Sequence, residues 1–265
     1  MAMVSMLISL PTLTTPNSCR VNRYWQAPKR SSAMALASAN TEIATTGVKF
    51  AEGEEKLPKV VLTSAGGSEA DIYLFGGCIT SWKVPSGRDL LFVRPDAVFN
   101  KKKPISGGVP HCFPQFGPGA IQQHGFARNL DWSVIDSENV QGDPAITLEL
   151  KDGEYSRSMW DFSFQALYKV TKLLMRSNDC RDGVTFPGFV DCVYLEAPNE
   201  LHLDNGLGDI ISIKNTNWTD AVLWNPYLTM EACYKDFVCV ENAKIGNVQL
   251  EPGHTWTATQ HLSIN

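Results

Sequence analysis

From about residue 45 to the C-terminus, the chain alternates short apolar, β-branched or aromatic runs with turn signals, and it almost nowhere repeats at helical spacing. KVVLTS (59–64), ADIYLFG (70–76) and CITSWKV (78–84) open the series. DWSVID, AITLELKD, FSFQALYKVT, FVDCVYLE, NELHLD, DIISIKNT, AVLWNP, DFVCVE and TWTATQHLSI continue it. Successive residues of a strand face opposite ways, so runs of this length suit strands with one covered face. Many of them at regular spacing, without intervening helices, argue against a parallel α/β sheet and predict an all-β sandwich or barrel of antiparallel strands. PSGRD (85–89) reads as a turn joining CITSWKV to DLLFV, and DNGLGD (204–209) as a turn joining NELHLD to DIISIKN. SRSMWD (156–161) is the one candidate for a helical turn.

Two stretches break the rhythm. Residues 94–121, RPDAVFNKKKPISGGVPHCFPQFGPGAI, are rich in Gly and Pro and form a long connection, a kind of segment that often carries function in compact domains. Residues 172–183, KLLMRSNDCRDG, suit neither a strand nor a good helix. No linker divides residues 42–265, so they read as one domain.

The first 41 residues contain no Asp or Glu, ten Ser or Thr, and the four bases Arg20, Arg23, Lys29 and Arg30. An acid-free, hydroxyl-rich, mildly basic leader is the pattern of an organelle transit peptide, expected to be disordered. Ser and Thr outnumber Arg, which favours the chloroplast stroma; mitochondrion and cytoplasm are the alternatives. The rest of the chain has 19 Lys and Arg against 28 Asp and Glu, a net charge of −9. So acidic a body suits neither nucleic acid nor an anionic membrane, and no apolar run is long enough for a transmembrane helix. Any anionic ligand must therefore be held by a local cluster of donors. The seven cysteines have no C-x-x-C spacing and several lie in apolar runs, so buried thiols are expected rather than a disulfide framework or a zinc site.

The densest chemistry is QQHGFARNLDW (122–132), which sets Gln123, His124 and Arg128 within six residues after the Gly/Pro loop. Arg128 presents a planar fork suited to phosphate or carboxylate. Gln123 can donate to and accept from sugar hydroxyls, and His124 can bond an oxygen or move a proton near neutral pH. The alternative is a histidine satisfied by its neighbours and an arginine in a surface ion pair. Two carboxylates interrupt apolar runs elsewhere: Asp191 in GFVDCVY and Glu241 in DFVCVEN. On a strand, Glu241 shares a face with Cys239 and Phe237, and a carboxylate on a covered face needs a partner or a purpose. The alternative is a Glu at a strand end facing water. No H-x-H or H-x-x-x-H spacing, P-loop or G-x-S-x-G is present.

Taken together, ISGGVPHCFPQFGPG…QQHGFARNLDW, VTFPGFVDCVY, AVLWNP and DFVCVENAKIGNVQLEPGHTWTATQHLSI resemble the glucose-6-phosphate 1-epimerases, a branch of the aldose 1-epimerase (galactose mutarotase-like) family, most of all its plant chloroplast members. The resemblance spans roughly residues 45–171 and 184–265. It implies an antiparallel β-supersandwich and interconversion of the α and β anomers of a hexose 6-phosphate, without metal or organic cofactor, by a monomer. It also implies a glutamate that removes the C1 hydroxyl proton and a histidine that protonates the ring oxygen. Carried over by motif, Glu241 is the base. Gln123 and Arg128 hold the sugar phosphate, His124 joins the catalytic set from the same wall, and Asp191 binds sugar hydroxyls. The sequence departs from the family pattern twice. Ser106 stands where many members have a phosphate-binding arginine, leaving Lys101, Lys102 and Lys103 as candidate replacements. No histidine occurs between residues 125 and 201, where the family's acid histidine lies, and YKVT (168–171) runs through KLLMRSNDC into VTFPG. The chain thus reads as a family member lacking several central strands, with weak epimerase activity expected. A sugar-phosphate-binding sandwich without turnover, or a poorly folded splice product, is the alternative.

Overall fold

The computed structural model describes residues 2–9, 45–171, 174–175 and 188–264. Its strands in chain order are β1 (Ala2–Ser9), β2 (Val48–Glu52), β3 (Pro58–Thr63), β4 (Glu69–Tyr73), β5 (Cys78–Lys83), β6 (His111–Cys112), β7 (Ser133–Val140) and β8 (Asp143–Lys151). They continue with β9 (Gln165–Thr171), β10 (Leu174–Met175), β11 (Val190–Tyr194), β12 (Glu200–Asp204), β13 (Ile210–Thr216), β14 (Asp220–Asn225), β15 (Phe237–Lys244) and β16 (Thr259–Ile264). The one described α-helix is a single turn, Glu154–Arg157, which falls on the predicted SRSMWD segment. The all-β expectation is met. Every strand pair is antiparallel except the two-residue pairing of β10 with β16.

Hydrogen bonding divides the strands into four sheets: β2-β3-β4-β5, β7-β8-β9, β10-β16-β13-β12 and β11-β14-β15-β1-β6. The first two share one core, in which Val60, Leu62 and Ile72 meet Ile146, Leu148 and Val170. A second core joins β5 and the segment after it to the other two sheets, through Trp82, Leu90, Val109, Ile211, Ile213, Ile264, Val238 and Val240. These side chains come from strands distant in sequence. Burying a Val, Leu or Ile is worth roughly 1.5–3 kcal/mol, so the two clusters hold the sheets together.

Both predicted hairpins form. Val84 N donates to Arg88 O, and Leu90 N to Trp82 O, closing the PSGRD turn. Across the second, Asp204 pairs with Ile210, and the Asn205 side chain accepts from the Leu207 N–H.

Three expectations need correction or restriction. Ala2–Ser9, expected to be part of a disordered leader, forms β1, with eight register partners in β15 and two in β6. Its physical opportunity is the long side of β15 that β14 does not occupy. Cys192, expected to be a buried thiol, is exposed, whereas Cys78, Cys112, Cys233 and Cys239 are buried; β11 is the outermost strand of its sheet. Of the 172–183 stretch only Leu174–Met175 can be described. The rest, like residues 10–44, lies outside the described residues.

Candidate active site

The site is organised by one face of the five-stranded sheet. Directly opposed residues share a face, so the register row Asp191–Trp224–Cys239 places these three side chains on the same side across β11, β14 and β15. Two residues along β15, Glu241 lies in the row with Val222 and Val193 on that same face. Cys112 of β6 packs with Val222 and Ala243 there. Glu241 is only 7% exposed, and Cys239 and Phe237 are buried beside it, as the alternation of DFVCVEN implied. The Cys239 Sγ–H donates to Glu241 Oε1 at 2.9 Å.

The second wall is the 113–128 loop. Gly125 has φ +65° and bridges Phe113, and a Cβ there would lie 2.1 Å from the Phe113 carbonyl oxygen, so only glycine fits. The His124 N–H donates to Phe116 O at 2.7 Å, and Phe126 N to Phe113 O at 2.9 Å. The Gln115 amide donates to Gly117 O and Ile121 O, closing the turn before the motif. Trp132 Nε1 donates to Ala127 O, fixing the motif's far end against the core. His124 sits at φ +69°, a left-handed conformation that costs a non-glycine residue roughly 1–3 kcal/mol and persists only where its surroundings impose it.

Arg128 is half-buried. No carboxylate forms a salt bridge with it, and its Nε has no hydrogen-bond partner among the described residues. Burial lowers its affinity for its proton, while Cys112, Cys78 and Glu241 are near enough to act on it electrostatically. His124 Nδ1 is likewise buried without a partner. Burial, and secondarily the Arg128 charge, lowers His124 to about 4, so its imidazole is neutral near pH 7. Desolvation pushes the Cys112 thiol up to about 12, so it is not a ready nucleophile.

Arg128 therefore lies within electrostatic reach of both His124 and Glu241. Gln123 is exposed on the same loop. Asp191 shares the sheet face with Glu241 but is exposed and lies two strands from β15, about 10 Å at ordinary strand spacing. Of the three candidate lysines, Lys101 pairs with Asp131 at 2.6 Å, both side chains being exposed. Asp131 lies in the same QQHGFARNLDW motif, a pairing thirty residues long that no local pattern announces. Trp224, between Asp191 and Cys239, offers an aromatic surface to a sugar ring. AVLWNP carried that signal, but its aromatic residue was not read as part of a site. Among the described residues no group of three or more His, Cys, Asp or Glu is placed to hold a metal.

Comparison with known proteins bears on this arrangement. The aldose 1-epimerase family model matches residues 58–173. A protein of Cenchrus ciliaris, provisionally named glucose-6-phosphate 1-epimerase, is 30% identical over 278 residues, covering 78% of this chain and 84% of that relative. The chain belongs to the aldose 1-epimerase family. An Escherichia coli K12 relative with the same provisional name is 28% identical over 68% of this chain and 81% of its own length. Among solved structures, a provisionally named mutarotase of Salmonella typhimurium superposes with a TM-score of 0.63 at 24% identity, over 78% of this chain and 91% of its own. A galactose mutarotase-like protein of Clostridium acetobutylicum gives 0.60 at 14%, over 82% and 98%. At these identities the solved structures establish the fold: this aldose 1-epimerase family member has a galactose mutarotase-like β architecture.

Proposed function

We propose that this chain binds a hexose 6-phosphate, glucose 6-phosphate in the first instance, and interconverts its anomers slowly as a shortened glucose-6-phosphate 1-epimerase. The observation that carries the reading is Arg128, a half-buried guanidinium with no ion-pair partner among the described residues, within electrostatic reach of the buried Glu241. A desolvated cation with an open valence suits an anion supplied from outside, and its planar fork suits phosphate.

In this scheme Glu241 takes the proton from the C1 hydroxyl. The C1–O5 bond breaks with its electron pair on O5, and O5 takes up a proton from solvent water. C1 rotates and the ring recloses by the reverse transfers. His124, neutral near pH 7, supports the substrate by hydrogen bonding and is not an imidazolium that delivers the proton. No histidine occurs between residues 125 and 201 to fill the acid's role. A dedicated general acid contributes roughly 10²–10⁴ in rate, so turnover here is that much slower than with an intact acid–base pair. The shortened-chain reading is supported by the Cenchrus alignment, which runs over 278 positions while using only 78% of these 265 residues. The relative therefore carries residues with no counterpart here.

The test is exchange of glucose 6-phosphate anomers by NMR magnetisation transfer, with Glu241→Gln alongside. Exchange above the uncatalysed rate that is lost in the variant is expected. Exchange indifferent to the substitution overturns the assignment of Glu241. Saturable binding without exchange selects the second reading, a sugar-phosphate-binding sandwich, which the neutral state of His124 specifically favours.

A further inference from the structure

We propose that Cys239 is a positioning residue for Glu241: its thiol hydrogen bond turns the carboxylate along β15 toward the Asp191–Trp224 row and holds it there. The proposal rests on the reading of Glu241 as the base. Residues 239 and 241 project from the same face of β15, one two-residue repeat apart. A glutamate there can lean either way along the strand, toward Ala243 and the Cys112 end or toward Phe237. The 2.9 Å contact from Cys239 Sγ to Glu241 Oε1 selects the second direction. Cys239 is opposite Trp224, and Trp224 opposite Asp191, so the carboxylate is aimed at the row that holds the exposed aspartate and the indole.

A thiol suits this task. It is a weak donor, so it orients a carboxylate without draining its proton affinity as a lysine or arginine would. It is also small and apolar enough to pack in the cluster of Cys233, Phe237 and Cys239, against which Trp224 also lies. A base must meet its proton at hydrogen-bond reach, and small misplacements of a reacting group carry large rate penalties. Arg128 and the Cys112 thiol lie within electrostatic reach of the carboxylate. On β14, Asp220 is engaged by the Glu196 and Ile245 N–H groups.

The experiment uses the full chain labelled with ¹³C-glutamate, and a difference infrared spectrum against Glu241→Gln isolates the Glu241 carboxylate stretch. Cys239→Ala is expected to shift and broaden that band, and Cys239→Ser, which keeps a donor on a small side chain, to restore it. In the same samples, the Cys239→Ala kcat for anomer exchange is expected to fall about tenfold with KM within twofold, and Cys239→Ser to recover most of it. A Glu241 band unchanged in Cys239→Ala overturns the proposal, as does a kcat loss that serine does not rescue. If the unsubstituted chain shows no exchange, the epimerase reading fails, and the spectra alone still decide whether Cys239 holds the carboxylate.

Discussion

β11 and β15 lie in one sheet, separated by β14, and their sequences look alike: VDCVY and FVCVENAK are both apolar runs with a cysteine and an acid. In the fold they are opposites. Seven of the eight residues of β15 are buried, whereas four of the five residues of β11 are exposed. β15 has strands on both sides and a core on each face, Val238 and Val240 in one and Phe237 and Cys239 in another. Among the described residues β11 pairs only with β14, and Val193, Tyr194 and Leu195 are exposed around it, Leu195 to 68%. The letters of a strand specify that it is a strand; what covers it decides whether its acid is a buried base or a solvated carboxylate.

The sharpest way to test that contrast is to neutralise the two acids. Glu241→Gln removes a buried proton acceptor and is expected to reduce anomer exchange by about 10²-fold or more. Asp191→Asn keeps the shape and hydrogen-bonding capacity of an exposed group, and the expected loss is under about tenfold, mainly in KM. Steady-state magnetisation-transfer rates on the two variants check this. Equal losses would mean that burial does not separate their roles.

Packing gives the next largest difference. Phe237 is fully buried and stacks on Phe92 with ring centroids 4.8 Å apart. Phe237→Ala is expected to cost roughly 3–5 kcal/mol. Val193 on β11 is 49% exposed, and Val193→Ala should fall within about 0.5 kcal/mol of the parent. Urea midpoints measure both, and a costly Val193→Ala would show that β11 is covered in solution. An open strand edge with exposed apolar side chains is also a pairing hazard, so solubility should respond to β11 far more than stability does.

The opposite end of the same sheet is buried, and it carries a pH signature. His111 on β6 is buried, its Nε2–H donates to Gly77 O at 3.2 Å, and its ring packs on Tyr168 at 4.2 Å. Burial lowers it to about 4 from 6.5. Between those values the unfolded chain binds the proton and the folded chain does not, so stability falls as pH drops from about 6.5 to 4. The loss from His111 alone is on the order of 3 kcal/mol, and His124 adds in the same direction. His111→Gln should flatten the urea midpoint across this window relative to the parent, and an unchanged slope would sink the assignment.

Much of this was legible in the chain and some was not. The alternation of DFVCVEN correctly put Glu241, Cys239 and Phe237 on one covered face, and the two hairpins followed from PSGRD and DNGLGD because turn chemistry is local. The same alternation misled at Cys192, since edge position depends on strands elsewhere in the chain. The pairing of Ala2–Ser9 was not legible because composition reports charge, whereas a strand pairing depends on an opening beside β15. The Lys101–Asp131 pairing was not legible because the partners are thirty residues apart. Cys239 and Glu241 were seen to share a face, but a bond between them requires a rotamer that spacing alone does not specify.

The smallest expected effect concerns the residue next to the base. Glu241 and Asn242 are adjacent polar residues on opposite faces of β15. Asn242 is 0% exposed, and neither amide atom of its side chain has a hydrogen-bond partner among the described residues. Where Glu241 has Cys239 to receive from, Asn242 carries a desolvation cost without return, about 1–3 kcal/mol for a buried polar group. Asn242→Leu has a similar volume and no polar atoms, so it is expected to raise stability by about 1 kcal/mol. It should leave anomer exchange unchanged, because the side chain points away from the Glu241 face. A lowered urea midpoint would show that the amide is bonded in solution after all. Changed exchange would show that the two faces of β15 are coupled, and that the site extends through the strand rather than lying on one side of it.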